Sequence, residues 1–193
     1  MEHQGSYFDR WAKKWDVNPQ YITRNQAIAG GIRRMVPSVK GMRALDYGTG
    51  TGLLTMALIE DLGSVLATDV SDGMLDVLRE KVEEQPSISL RKHDLSRQDL
   101  DEEPFDLIYS AMTLHHVEHV EVVMERCRNL LNKGGYLAIA DLEEEDGSFH
   151  GDSTIYYHRG FDPGSLAAAL ERNGFRDVRS ERVFVMNRTI EGR

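Results

Sequence analysis

Residues 44–53 read Ala44-Leu45-Asp46-Tyr47-Gly48-Thr49-Gly50-Thr51-Gly52-Leu53, an apolar run that gives way to glycines at alternate positions. Glycine permits backbone angles and close approaches that a Cβ forbids. The stretch therefore predicts a tight strand-to-helix turn against which a nucleotide can lie directly. Purely structural turns use glycine too, so the surrounding residues have to decide. The dinucleotide fingerprint GxGxxG needs its third glycine at position 53, where this chain has Leu53. Asp46, two residues ahead of the first glycine, would repel a pyrophosphate but suits a ligand carrying an amino group and a sulfonium.

Outward from the loop, short apolar runs alternate with helical patterns. Strands are expected over 43–47, 64–69, 88–92, 105–110 and 135–141, and helices over about 52–61, 73–84, 120–131 and 163–173. This order implies βαβ crossovers and a mostly parallel sheet covered on both faces, with ligands beyond the carboxyl ends of the strands. The second strand ends in Asp69, about twenty residues after the glycines, a spacing that suits a carboxylate accepting from ribose hydroxyls. Ser71 or Asp72 can cap the following helix, which frees Asp69 from that duty. Ahead of the first strand lie Tyr7, Phe8, Trp11, Trp15 and Tyr21, and then helical spacing over 23–36 before Pro37. Residues 1–40 read as a helical cap and 41–193 as the core of one domain.

Composition narrows the classes further. The 193 residues are 40% hydrophobic, enough for one ordinary core. Lys and Arg total 23 against 32 Asp and Glu, a net charge of −9 that repels phosphate backbones and anionic lipid. Neither nucleic acid nor membrane is an expected partner. With no apolar run long enough to span a bilayer and no basic-then-apolar start, the chain is expected to be cytoplasmic. The lone Cys127 sits in a helical pattern, where packing explains it; one thiol makes no internal disulfide and no CxxC clamp.

In these features the chain resembles the class I S-adenosylmethionine-dependent methyltransferases, in their type 11 or UbiE-like small-molecule group. The resemblance runs from about Tyr7 to Val185 through five motifs in order: residues 45–52 (the glycine loop), 68–75 (the ribose strand end), 92–95 (the adenine edge), 105–116 (the fourth strand) and 131–137 (the turn into strand five). It implies a Rossmann-like three-layer sandwich with S-adenosylmethionine as cofactor. The cofactor residues it implies are Trp15, Asp46, Gly48, Thr49, Gly50, Asp69, Val70, Met74, Asp94, Leu95 and Ser110. Asp69 would take the ribose, Met74 the adenine face and Asp94 the exocyclic amine, with a backbone N–H such as that of Leu95 on the ring. Glycine-loop amides and the Ser110 carbonyl would hold the methionine part. Two features depart from the family. Tyr47 stands where a smaller residue is usual, and the sequence stops where the last hairpin should turn. The final strand is accordingly expected to be missing or truncated, and residues 182–186 to form an exposed edge through which a homodimer can pair.

Methyl transfer from a sulfonium is an in-line displacement that needs neither metal nor covalent intermediate, only positioning and desolvation. Aromatic faces help hold the cationic donor, and Tyr7, Trp11 and Trp15 are the candidates. For an oxygen or nitrogen acid as acceptor, a histidine is the natural base at neutral pH. His115 and His116, after strand four, are the first candidates; His158 and Tyr156, between strand five and the next helix, are the second. A metal site from His150, Asp152 and His158 is not expected, because their spacing lacks the regularity of ligand sets. The small-molecule methyltransferase stands against a catalytically silent cofactor-binding module, an enzyme acting on RNA or protein, and a nicotinamide-dependent oxidoreductase, which Leu53 and Asp46 disfavour.

Overall fold

The computed structural model describes residues 4–146, 149 and 156–186. Helices α1 (Gln4–Trp15) and α2 (Pro19–Met35) precede β1 (Arg43–Tyr47), α3 (Leu53–Leu58), β2 (Ser64–Asp69), α4 (Asp72–Lys81), β3 (Ile88–Lys92) and β4 (Phe105–Ala111). A 3-10 turn (Leu114–His116), α5 (Val120–Leu130), β5 (Leu131–Ala140) and α6 (Pro163–Arg172) complete the described elements. The strands form one parallel sheet in the order β3-β2-β1-β4-β5. The order reverses beside β1, the position at which open sheets bind ligands.

Side-chain alternation along the strands builds two cores. Ala44, Leu107 and Tyr109 join α2, α3 and Leu78 of α4 on one face; Leu45, Tyr47 and Ile108 join α5 and α6 on the other. Leu107 and Ile108 have no exposed surface, and each fully buried aliphatic side chain contributes about 1.5–3 kcal/mol. Cys127 lies in the second core, where burial pushes its thiol up to about 12, consistent with a packing role.

Local signals explain the helix boundaries. Asn18 caps α2 by accepting from the Gln20 amide at 3.0 Å, with Pro19 at the first position, so α2 begins ahead of the expected residue 23. Ser71 caps α4 through the Met74 amide at 3.1 Å. Phe8, Ala12 and Trp15 are spaced i, i+4, i+7 in α1, and Ala12 is fully covered whereas Trp11 faces outward.

One expectation fails. Residues 182–186 form no strand, so the edge on which a dimer was expected is not built there. Side chains hold this segment instead: Arg34 pairs with Glu181 at 2.5 Å, Arg182 pairs with Glu143, and Val183 packs so closely on Gly31 that a Cβ there would lie 2.9 Å away. Among the described residues the sheet ends at β3 and β5. His150 and Asp152 lie outside the described residues. No described helix is long and apolar enough to cross a membrane.

Candidate functional site

A cavity of about 230 Å³ opens over the carboxyl ends of β1, β2 and β4. One water needs about 10–15 Å³, so the space suits a ligand of many atoms. Its floor is the glycine loop. Gly48, Gly50 and Gly52 all adopt the left-handed conformation, at φ 72°, 56° and 79°. The three have different reasons to lack a Cβ. At Gly48 it would strike Thr113 Oγ1 at 2.3 Å and at Gly52 Leu78 Cδ1 at 2.2 Å, whereas at Gly50 it would enter open space. The expected role of the loop amides is corrected by their partners. Gly48 and Thr49 both donate to the Thr68 carbonyl at 2.9 Å, and Gly50 donates to Asp69 Oδ2 at 2.8 Å. What this part of the loop offers a ligand is close approach rather than amide donors.

Four carboxylates line the cavity, Asp46, Asp69, Asp94 and Glu118, and the three aspartates have partners within the protein. Asp46 points from β1 toward α3, is 1% exposed, and accepts from Thr49 Oγ1 at 2.8 Å and Thr55 Oγ1 at 2.5 Å. Thr55 Oγ1 in turn lies 2.9 Å from the Tyr109 hydroxyl. Burial pushes the Asp46 carboxyl up to about 7, even though both threonine hydroxyls favour its charged form and only nearby Asp69 adds to the rise. Asp69, at the end of β2, accepts the Gly50 amide on Oδ2 and the Ser71 amide on Oδ1 (2.9 Å), and the Val70 amide also favours its charged form. Burial raises its carboxyl too, against those backbone hydrogen bonds. Asp94 accepts from Ser96 N and Oγ and pairs with Arg97 at 3.2 Å. Val70 and the 2% exposed Met74 add apolar surface to the wall, which His93 also lines.

Helix α1 closes over this floor. Asp9 accepts from Ser71 Oγ at 2.6 Å and from the Gly73 amide at 2.8 Å, and Asp16 accepts from Thr51 Oγ1 at 2.6 Å and pairs with Lys81. Lys81 also donates to the Thr51 carbonyl at 2.6 Å. The aromatics that α1 presents to the cavity are Phe8 and Trp15, packed edge to face at 6.0 Å. Of the expected aromatics Trp15 is in place, whereas Tyr7 is absent from the wall and Trp11 is 48% exposed.

The histidines divide. His116 lines the cavity, 5.2 Å from the Phe8 ring and 4.0 Å from that of His115. His115 is turned into the protein, with Nδ1 2.5 Å from Asp141 Oδ1 and both side chains nearly fully buried. Asp141 also accepts the Leu114, His115 and Leu142 amides, so it fixes the whole turn. His158 donates Nε2–H to the Val117 carbonyl at 2.9 Å and does not reach the cavity. Tyr156 is likewise off the wall; its neighbour Tyr157 is on it. For two of the expected cofactor residues the role falls to backbone groups, the Ser110 carbonyl and the Leu95 N–H. The Ser110 side chain is buried, with Oγ donating to the Tyr47 carbonyl at 2.7 Å, and its neighbour Ala111 lines the cavity. Leu95 is a core residue, 1% exposed, between wall residues Asp94 and Ser96.

Arg24 and Asn25 on α2 line the cavity and were missed. The signal lay in their spacing: they interrupt the stripe that continues through Ile28, Ala29 and Ile32, so polar residues occupy inward-facing positions. Met112, also on the wall, holds a left-handed φ of 57°, an uncommon conformation for a residue with a Cβ and one that clusters at functional sites.

The donor set fits an adenosylated methionine. Asp69 can accept from sugar hydroxyls, Val70 and Met74 offer an apolar slot, Asp94 an acceptor beyond it, and the bare Cα of Gly50 a surface for close approach. The family model described as Methyltransferase domain matches residues 45–139. An uncharacterized methyltransferase of Schizosaccharomyces pombe is 32% identical over 143 residues, 65% of this chain and 50% of that one. The chain thus spans half the length of that relative. Among solved structures, an S-adenosylmethionine-dependent methyltransferase from Mesorhizobium loti is 25% identical with a TM-score of 0.63, covering 77% of this chain and 80% of its own. Haemonchus contortus phosphoethanolamine N-methyltransferase 2 in complex with S-adenosyl-L-methionine shares the fold at a TM-score of 0.74 and 21% identity, over 92% of this chain and 45% of that one. The motif order, the sheet topology and the matched model agree with one another: over residues 45–139 the chain is similar to the methyltransferase domain, on the fold of the class I S-adenosylmethionine-dependent methyltransferases.

Proposed function

We propose that the protein transfers a methyl group from S-adenosylmethionine to a small-molecule acceptor, as one methyltransferase domain over residues 1–193 working in the cytoplasm. The observation that carries this reading is one cavity lined both by the glycine loop and Asp69 and by His116, Phe8 and Tyr157. When bound, the cofactor supplies a methyl group on a positively charged sulfur. Asp69 would hold the ribose, Val70 and Met74 the adenine, Asp94 its amine, and Asp46 the positive charge of the amino-acid end. Phe8 and Trp15 exclude water and present aromatic faces to a cation.

His116 is the residue best placed to take a proton from the acceptor. Its ring abuts His115, whose Nδ1 is held by Asp141, so the turn that carries it is fixed at both backbone and side chain. His115 acts through His116 as a positioning residue. The phosphoethanolamine methyltransferase with the same fold is named for a small acceptor, and the net charge of −9 disfavours nucleic acid. Incubation with methyl-labelled S-adenosylmethionine and a fractionated metabolite extract tests the proposal. Label appearing in a low-molecular-weight fraction, lost in His116→Ala, is expected; tight cofactor binding without transfer to any fraction would favour a silent binding module.

A further inference from the structure

Helix α1 divides its charges between its two sides. Its described acids, Asp9 and Asp16, are engaged against the protein, Asp9 by Ser71 and the Gly73 amide and Asp16 by Thr51 and Lys81. Its cations, Arg10, Lys13 and Lys14, are all exposed, and neither lysine has an ion pair among the described residues. With Phe8, Ala12 and Trp15 turned inward, the helical repeat puts Arg10 and Lys14 one turn apart on the outward arc, with Lys13 beside them and Trp11 at its edge. The same corner of the molecule is apolar. Trp11 is 48% exposed; past the end of α1, Val17, whose amide bonds the Lys14 carbonyl at 3.3 Å, is 76% exposed, and Ile22 in the first turn of α2 is 41% exposed. Three of the five large hydrophobic side chains that stand exposed among the described residues thus lie within residues 11–22, beside three cations. Exposed apolar side chains scattered singly need no explanation, but a group of them calls for a partner.

We propose that the outer face of α1, with the corner between α1 and α2, docks on an anionic lipid surface. The net charge of −9 counts against that partner over the chain as a whole. Exposed charges farther away than a Debye length of about 8 Å are largely screened at physiological salt, however, so the three cations decide the field at this face. A basic stripe edged by an indole suits a helix that lies in the headgroup layer, its lysines reaching the phosphates while Trp11 and the aliphatic side chains enter the acyl boundary. The shape favours lipid over an acidic protein. A side chain as exposed as that of Val17 projects from the surface; a fluid layer yields to it, whereas a folded partner must supply a matching hollow. Because α1 also carries Phe8 and Trp15 on its inner side, docking sets the cavity beside the bilayer. Lipid binding goes beyond the methyl transfer proposed above and does not depend on it.

Sedimentation of the full chain with vesicles of phosphatidylcholine alone, and of equal parts phosphatidylcholine and phosphatidylglycerol, tests the proposal. Binding to the mixed vesicles only, weakening as salt rises, is the expected result. The triple variant Arg10→Glu, Lys13→Glu, Lys14→Glu should bind about a hundredfold more weakly or worse. All three positions are exposed, so its melting should stay close to that of the wild type and the loss can be read as surface charge. Fluorescence gives an independent reading. The chain holds two tryptophans, and the other, Trp15, lines the cavity; the blue shift of tryptophan emission expected on adding mixed vesicles should therefore vanish in Trp11→Ala. Equal binding of the triple variant and the wild type, equal binding to both kinds of vesicle, a blue shift undiminished in Trp11→Ala, or no binding to either vesicle overturns the proposal. Retention on immobilised polyglutamate without vesicle binding would overturn it in favour of an acidic protein as the partner.

Discussion

Asp9 of α1 accepts a 2.6 Å hydrogen bond from Ser71, the residue that caps α4, and its oxygen also takes the Gly73 amide at 2.8 Å. One carboxylate thus fastens the aromatic roof to the strand end that carries Asp69. The packing is close: a Cβ on Gly73 would lie 2.9 Å from Asp9 Cα. Asp16, with Thr51 and Lys81, is the second fastening. Asp9→Ala should therefore loosen the roof without dismantling the core. A charge-assisted hydrogen bond contributes about 1.5–3 kcal/mol, so stopped-flow dissociation of S-adenosylhomocysteine should speed up about tenfold or more, and further in the Asp9→Ala, Asp16→Ala double variant. Equal dissociation rates would mean that α1 does not gate the cavity.

The glycines of the loop should fail in different ways. Gly48→Ala places a Cβ against Thr113 in a left-handed conformation, and strain with overpacking should cost about 2 kcal/mol or more in chemical denaturation. Gly50→Ala carries only the conformational cost, about 1–2 kcal/mol, because its Cβ meets open space. That space belongs to the cavity wall, so the loss at Gly50 should appear in cofactor affinity. A stable Gly50→Ala with wild-type affinity would show that no ligand approaches this backbone.

Asp46 makes a prediction in pH. Its folded carboxyl sits near 7, above the value of about 3.9 in an unfolded chain. The folded state therefore holds this proton more tightly, and the stability it contributes is present below pH 4 and is lost as pH rises to about 7. Asp46→Asn stays neutral, so its melting temperature should gain on wild type between pH 5 and 8. A cationic ligand favours the ionised form. Cofactor binding should accordingly release a proton near pH 6.5, measurable as a buffer-dependent calorimetric enthalpy, and the release should vanish in Asp46→Asn. Proton release of the same size in both proteins would assign it elsewhere.

Neighbouring histidines should separate by role. His116→Ala removes a wall residue and should lower methyl transfer about 10²-fold or more with little change in melting. His115→Ala deprives the buried Asp141 of a partner and should cost about 3 kcal/mol of stability, with activity falling as the turn loosens. Equal loss of stability in both variants would contradict the division.

The sheet and its parallel sense were legible from periodicity, and Asp69 from its spacing to the glycines, whereas Met74 and Asp94 were implied by the resemblance to a family and not by any pattern of this chain. Side-chain direction was harder to read. On a strand whose residues alternate faces, the motif does not say that the Ser110 side chain turns to the Tyr47 carbonyl while Ala111 lines the cavity. Tyr156 and Tyr157 lie between β5 and α6 outside any regular element, where no periodicity says which side chain lines the cavity. Arg24 and Asn25 went unread because polar residues on an apolar helical stripe are usually assigned to its margin. The expected strand at 182–186 came from the family resemblance, whereas ion pairs to α2 and to Glu143 decide where that segment lies.

The account stands most directly on one titration: S-adenosylhomocysteine into the wild type and into Asp69→Asn, which keeps the shape of the side chain and removes its charge. Binding to the wild type in the micromolar range, weakened about tenfold or more in the variant, is the predicted result. Equal affinity in the two proteins, or no binding to the wild type, would contradict it.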